Sequence, residues 1–214
     1  MKNKIIFGVL ICSFFSFSVY AEEILSSMYY FDLAEEAVES CSASEEKPCN
    51  KKKAEYLSLA LEQDDYWTKN FRSHFLCARG TAYMHTKEVQ NAIDDFNNAL
   101  ALNDEWVKDH RSLVFFSRGT TYIMIKEYDK TIKDLTDAIA IEDKWTKDNL
   151  SQIIFYRGIT YAHQEDFTKA MADFNDAYNL DDEWIKVKNN HDMVLSFLTK
   201  GYYSPYEDKV HNEL

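Results

Sequence analysis

The sequence predicts an all-α fold in which helical hairpins stack as a solenoid. The first observation is that the tryptophans recur at a constant interval of about 39 residues, at Trp67, Trp106, Trp145 and Trp184. The second is that three glycines keep the same interval, at Gly80, Gly119 and Gly158. The third is that apolar residues between these marks recur at helical spacing. A fixed period of this length indicates repeated units that bury their apolar faces against one another.

Each predicted unit contains two helices. The first helix runs through an Arg-Gly pair and a tyrosine three positions later, and the second begins near Val89, Tyr128 or Phe167. In the earliest of these second helices the apolar residues fall at i, i+1, i+4, i+7 and i+8, namely Ala92, Ile93, Phe96, Ala99 and Leu100. This spacing gives a helix one buried face. The glycines are expected to let the two helices approach closely.

Five recurring positions resemble the tetratricopeptide repeat. The residues that match its motif are Gly80, Tyr83, Ala92, Phe96 and Ala99; Gly119, Tyr122, Thr131, Leu135 and Ala138; and Gly158, Tyr161, Ala170, Phe174 and Ala177. The resemblance implies a right-handed superhelix with a concave groove. Two departures stand out. The period is longer by five than the family's usual repeat of about 34 residues, and the additional positions are placed around each tryptophan. The proline near the end of the repeat is replaced by Asp or Asn, which cap helices well.

In the family, inner positions of the first helices line the groove. The resemblance therefore places the candidate groove at His74, Cys77, Thr81, Met84, Leu113, Phe116, Thr120, Ile123, Gln152, Phe155, Ile159 and Ala162. This lining is apolar and aromatic, so it suits an amphipathic helix or an extended segment of a partner protein. The alternative is that Phe116 and Phe155 simply pack against neighbouring helices.

Two further sets of residues recur in step. Arg79, Arg118 and Arg157 keep register with Asp95, Asp134 and Asp173, and we hypothesise a salt bridge between the two helices of each unit. The tryptophans stand at helix starts, and an apolar residue such as Leu113 follows seven positions later, which predicts burial between units. The alternative for the tryptophans is a ladder that stacks on sugars.

The remaining segments fit the period less well. Residues 22–63 are interpreted as a degenerate first helix pair, with Cys41 where glycine would fall. Residues 64–182 hold the three repeats, 183–200 a capping helix and 201–214 a tail. Terminal units of such arrays cap an apolar face and are atypical. The tail ends in His-Asn-Glu-Leu, which is similar to retention signals of the endoplasmic reticulum.

The N-terminus indicates export. Residues 1–21 have a basic start, a short apolar run and a small-residue exit at Ala21, the pattern of a cleaved signal peptide. A periplasmic or secreted location follows, with the endoplasmic reticulum lumen as the alternative. In an oxidising compartment Cys41 and Cys49 can form a disulfide. Cleavage removes two lysines and no acid, so the net charge falls from −12 to −14, which disfavours nucleic acid and anionic membranes as partners.

The sequence shows no motif for metal, nucleotide or cofactor binding. We therefore predict a non-enzymatic scaffold that binds a protein or peptide. One alternative is a carbohydrate-binding protein or hydrolase that uses the recurring tryptophans and acids. Another is a structural protein that self-associates through its end units. Fold alone does not decide among these.

Overall fold

The computed structural model describes residues 26–42, 45–102 and 104–180, and within these ranges it contains helices and no strand. Nine helices follow one another in this part of the chain: α1 (Ser27–Glu39), α2 (Glu46–Glu62), α3 (Tyr66–Asn70), α4 (Arg72–Thr86), α5 (Val89–Ala101), α6 (Glu105–Met124), α7 (Tyr128–Ile141), α8 (Lys144–His163) and α9 (Phe167–Leu180). The predicted all-α class is confirmed. The signal segment, the capping helix and the tail lie outside the described residues.

The helices pack as four hairpins that stack in chain order. We call α1 with α2 unit 1, α3 to α5 unit 2, α6 with α7 unit 3, and α8 with α9 unit 4. The second helix of each unit packs against the first helix of the next. The first helices of successive units also contact one another, whereas their second helices have few such contacts. The first helices therefore form the inner layer of a solenoid.

The five extra residues of each period form a helical turn ahead of the first helix. In unit 2 this turn is the separate helix α3, and Phe71 breaks the chain between α3 and α4 with φ −131°. In units 3 and 4 the turn continues into α6 and α8 across a kink at His110 (φ −125°) and Asn149 (φ −124°). Successive breaks are one period apart, as the insertion around each tryptophan predicts.

An aspartate joins each unit to the next. The carboxylate of Asp104 accepts a hydrogen bond from the Val107 N–H at 3.1 Å and so caps α6. The same carboxylate accepts bonds from the N–H and Oγ of Ser73 in the preceding unit, at 2.8 and 2.5 Å. Asp65 and Asp143 repeat this arrangement with Ser27 and Ser112. The expected capping role of Asp at the position of the missing proline is confirmed.

The glycines lie where two helices touch. A Cβ atom at Gly80 would be 2.9 Å from Cε1 of Phe96, and one at Gly158 would be 2.9 Å from Cδ1 of Phe174. At Gly119 the nearest atom, Cβ of Asp134, would be 3.2 Å away. Real side chains do not tolerate the first two separations, because protein interiors are already close-packed. The predicted close approach of the two helices is confirmed.

The hypothesis of an Arg–Asp pair in each unit is also confirmed. Nε and Nη2 of Arg118 donate to the two carboxylate oxygens of Asp134, both at 2.7 Å. The other two units repeat this fork at 2.7–2.8 Å. The remaining nitrogen, Nη1 of Arg118, donates to Asn97 of the preceding unit at 2.6 Å. Each arginine thus links the first helix of its unit, on which it lies, to the second helix of the same unit and to the second helix of the unit before.

The register of unit 1 differs from the sequence prediction. Counting back one period from Gly80 gives Cys41, but Ser27, which bonds the capping Asp65, places Ala34 at the glycine position. Ala34 and Leu57 are fully buried where units 2 and 4 have Gly and Phe. The assignment of Cys41 to the glycine position is wrong, because the connection between α1 and α2 holds seven extra residues. In the structure Cys41 is disulfide-bonded to Cys49 across this connection.

Candidate functional site

The candidate site is the exposed side of the inner layer, formed by α4, α6 and α8, which we call the inner face. Eight of the twelve predicted groove residues are partly exposed there: His74, Thr81, Met84, Leu113, Phe116, Thr120, Ile123 and Gln152. The other four are buried, with exposed fractions of 5% for Cys77, 1% for Phe155, 5% for Ile159 and 3% for Ala162.

Burial removes these four side chains from the set that a partner could contact. The ring of Phe155 packs against Phe174 of its own unit at 5.5 Å, which is the packing role that the sequence left open. Cys77 belongs to the core shared by units 1 and 2. The accessible lining therefore lies mainly on α4 and α6. Its two threonines, Thr81 and Thr120, donate their hydroxyls to carbonyls of their own helix, so they add little polarity to the surface.

An aromatic stack crosses the junctions of units 1, 2 and 3. The His74 ring lies between Phe31 of α1, at 4.7 Å between centroids, and Trp106 of α6, at 4.8 Å. Trp106 also contacts His110, whose ring is parallel to it within 2° at 4.5 Å. All four rings are partly exposed. They form one continuous apolar strip across three units.

The next junction uses another tryptophan in the same way. Trp145 of unit 4 packs against Phe116 of unit 3 at 5.3 Å, and Tyr156 contacts the same ring at 5.6 Å. Trp106 and Trp145 are thus partly buried between units, in line with the prediction. For Trp67 the prediction is wrong, since 39% of this side chain is exposed and its ring neighbours, Tyr66 and Phe71, belong to its own unit. Trp184 lies outside the described residues.

Phe31 and His110 belong to the strip and were missed in the sequence. Phe31 takes the place in α1 that Cys77 takes in α4, four residues after the aspartate-bound serine. Counting one period back from Cys77 gives Val38, so the seven-residue insertion hid this position. His110 occupies the kink position of α6, which the tetratricopeptide motif does not contain.

At neutral pH the central residue of the strip, His74, is uncharged. Burial lowers the pKa of His74 from 6.5 to about 4, and the nearby His110 and Lys53 lower it further, against the opposing effect of Glu35 and Asp104. Lys53 is itself paired with Glu35 at 2.7 Å. A neutral imidazole stacks between two rings without the cost of burying a charge.

This pKa makes the stability of the protein depend on pH. The unfolded chain binds a proton at His74 near pH 6.5, whereas the folded chain binds it only near pH 4. The stabilising contribution of the neutral His74 is therefore fully present above pH 6.5 and is lost as the pH falls from 6.5 toward 4. At pH 5 the loss is expected to be roughly 2 kcal/mol. Urea unfolding of the wild type and of His74→Phe at pH 7.5 and pH 5 measures it. An equal loss in both proteins would contradict the assignment to His74.

The described residues contain no group of three or more His, Cys, Asp and Glu side chains that could hold a metal ion. Burial raises the pKa of the Cys77 thiol to about 12, which leaves it protonated and unreactive at neutral pH. At Asp65 and Asp143 burial favours a higher pKa, but hydrogen bonds from backbone and hydroxyl donors outweigh it and lower the pKa. These carboxylates stay ionised and serve as helix caps rather than proton donors.

None of the helices in the described part of the chain is both long and apolar enough to cross a membrane.

Comparison with known proteins identifies a shared architecture. No protein-family model matches the chain, and no curated protein matches it. Among solved structures the chain is similar to the crystal structure of MamA, a tetratricopeptide-like solenoid, with a TM-score of 0.58 and 18% sequence identity. The similarity covers 79% of this chain and 86% of that one. At this identity the likeness shows the fold, a solenoid of tetratricopeptide-like hairpins.

Proposed function

We propose that this solenoid is a scaffold that binds a partner protein or peptide on its inner face. The observation that carries the proposal is the partly exposed strip of Phe31, His74, Trp106 and His110, together with Phe116 and Trp145 at the next junction. Contiguous apolar surface of this kind marks interaction sites in soluble proteins. The tetratricopeptide-like architecture supports a role in protein interactions.

The chemistry of the inner face defines the partner. Leu113, Phe116 and Ile123 on α6 and Met84 on α4 offer aliphatic and aromatic surface, and the neutral His74 adds no charge. An amphipathic helix or an extended segment with large apolar side chains complements this surface. The acidic chain, with a net charge of −12, favours basic residues on either side of that segment. Catalysis plays no part in this mechanism.

The arginine forks support the proposal because they hold the strip in one geometry. A binding surface that is already ordered avoids part of the entropy cost of association. The Nη1 atoms of the three arginines and the three bridging aspartates link the four units, so the strip does not have to be assembled when the partner arrives.

A photocrosslinking experiment tests the inner face. A photoreactive phenylalanine analogue at Leu113 or Met84 is expected to crosslink a polypeptide in the native compartment, and the same analogue at the exposed Asp94 or Asp176 of the second helices is not. Leu113→Asp is expected to reduce co-capture of the crosslinked protein at least about tenfold. Tyr178→Asp, which changes an exposed aromatic residue of α9, is the matched control. Equal crosslinking from both sides would show that the inner face is not the binding surface.

The proposed location is outside the cytoplasm, in the periplasm or the extracellular medium, with the endoplasmic reticulum lumen as the alternative. It is supported by the export pattern of residues 1–21 and agrees with the Cys41–Cys49 disulfide, since such bonds persist in oxidising compartments. The mature protein is expected to begin at Glu22. Intact-mass measurement and N-terminal sequencing after fractionation check this, and a chain that retains Met1 in the cytoplasm would refute it.

Carbohydrate binding is a second candidate function, and one observation favours it. Trp67 and Tyr66 expose 39% and 64% of their surface, and exposed aromatic rings stack on sugars. If this function holds, oligosaccharides shift the tryptophan fluorescence of the wild type but not of Trp67→Leu. If oligosaccharides leave the fluorescence unchanged, the sugar-binding role and any hydrolase that depends on it are excluded.

A further inference from the structure

A lysine covers the recurring tyrosine in two of the units. In unit 3 the ammonium of Lys130 lies 5.5 Å from the ring centroid of Tyr122 and 3.3 Å from Oε2 of Glu127. In unit 4 Lys169 lies 5.2 Å from the ring of Tyr161 and 2.6 Å from Oδ2 of Asp166. Ring and carboxylate attract the same cation, the ring through its negative face and the carboxylate through its charge. In units 3 and 4 the ring and the carboxylate thus form one site for a cation.

Unit 2 keeps the ring and the carboxylate of this site but lacks the lysine. Tyr83 and Glu88 stand one period before Tyr122 and Glu127, whereas Asn91 replaces the lysine. Nδ2 of Asn91 donates to Glu88 at 3.1 Å, and Oγ1 of Thr86 donates to the same carboxylate at 2.9 Å. Both donors are neutral, so the charge of Glu88 is not balanced.

A hollow of about 430 Å³ lies beside this incomplete site. Its wall includes Tyr83 and Glu88, and α2 adds Glu55, Leu59 and Ala54. Within the described part of the chain no ion pair involves Glu55 or Glu88. The volume is sufficient for a long side chain, and Leu59, which is 39% exposed, supplies apolar surface.

We propose that this hollow between α2 and α4 binds a lysine or arginine side chain of a partner polypeptide. The cation takes the place over Tyr83 that Lys130 takes over Tyr122, and the carboxylates of Glu55 and Glu88 balance its charge. Its aliphatic stem lies against Leu59, as long cationic side chains commonly lie along apolar surface. The acidic chain attracts such a partner before contact. The site is separate from the inner face and does not depend on the proposed function of that face.

The rival occupant is this chain's own Lys51, which also lines the hollow. Lys51 is exposed and forms no cation–π contact or ion pair among the described residues. The experiment therefore compares the wild type with a Lys51→Ala variant.

Titration of the isotope-labelled protein with N-acetyl-lysine methylamide, followed by NMR, tests the site. Saturable shifts are expected at the amides around Glu55, Tyr83 and Glu88, and the uncharged N-acetyl-norleucine methylamide is expected to produce none. Asn91→Lys supplies the missing cation from within the chain and should weaken binding of the probe at least about tenfold. Glu88→Gln should weaken it as well. Because Asn91 is exposed, its replacement leaves the fold intact, which circular dichroism verifies.

Two results would overturn the proposal. One is the absence of saturable shifts in the wild type. If such shifts then appear in the Lys51→Ala variant, the side chain of Lys51 itself occupies the hollow in the wild type. The other is equal binding of the norleucine and lysine probes, which would make the hollow an apolar site. A failed crosslink at Leu113 with a positive lysine titration would refute the inner face and leave this site standing.

Discussion

Replacement of Arg118 by methionine is expected to lower the free energy of unfolding by about 3–5 kcal/mol, since it breaks a buried ion pair by removing one partner. The side chain of Asp134 is only 3% exposed and would lose both charge-assisted hydrogen bonds of the fork. An uncompensated carboxylate in this position has no access to water. Urea unfolding followed by circular dichroism measures the loss.

A neighbouring pair on α7, the helix that carries Asp134, provides the control. Lys133 pairs with Asp137, but 72% of the lysine side chain and 38% of the aspartate side chain are exposed. Lys133→Met is expected to lower the free energy of unfolding far less than Arg118→Met does, because solvent screens exposed ion pairs. The double variant Arg118→Met/Asp134→Leu should recover part of the loss, since no buried charge remains. Similar losses for Arg118→Met and Lys133→Met would show that burial does not set the strength of the fork.

Replacement of Gly80 by valine is expected to cost about 3 kcal/mol or more, because overpacking forces neighbours out of place. Even a single Cβ atom here would lie 2.9 Å from the ring of the fully buried Phe96, so this ring would have to shift within a close-packed core. Valine adds two methyl groups and is a poorer helix former than alanine. Thermal and urea unfolding quantify the effect.

In unit 1 the same helix–helix contact is made by a different pair of side chains. It combines Ala34 with Leu57, where unit 2 combines Gly80 with Phe96. The double variant Gly80→Ala/Phe96→Leu should therefore be more stable than Gly80→Ala alone, with a coupling of about 1 kcal/mol or more. At Gly119 a new Cβ atom would lie 3.2 Å from Cβ of Asp134 and 3.3 Å from Cδ2 of Leu135 rather than against a phenylalanine ring, so Gly119→Ala should change stability by less than about 1 kcal/mol. Additive effects at Gly80 and Phe96 would contradict direct contact.

Features of the fold that depend on the same residue type recurring at a fixed interval were predictable from the sequence. The Arg–Asp forks, the close approach at the glycines and the starts of the second helices at Val89, Tyr128 and Phe167 agree with the structure. Each depends on a few side chains whose chemistry permits one role. Repetition strengthened the inference, because three units had to satisfy it together.

Unit 1 was not predictable in the same way. The insertion between α1 and α2 shifts the period by seven residues, and nothing in its composition reveals the length of the shift. The position of Phe31 in the aromatic stack and the place of Ala34 depend on that shift. The serine that bonds the capping aspartate is the local signal, since Ser27 stands seven residues before Ala34 as Ser73 stands before Gly80. Serine is too common for this signal to be recognised in the sequence alone.

The sequence also did not predict which side chains of the candidate site are exposed. Cys77, Phe116 and Phe155 occupy equivalent positions in three units, yet only Phe116 remains partly exposed. Exposure depends on the neighbours that cover each position. The same holds for the tryptophans, since His74 and His110 cover Trp106 whereas Trp67 is exposed.

The Nη1 atom of each forked arginine couples the folding of one hairpin to that of the preceding hairpin. A hairpin excised from the array would keep its own Arg–Asp fork but lose the acceptor that the preceding hairpin offers to Nη1, at 3.1 Å for Arg79, 2.6 Å for Arg118 and 3.5 Å for Arg157. The longest of these bonds is the weakest coupling. On heating, the hairpin that carries Arg157 is therefore expected to be the first of the described hairpins to lose order.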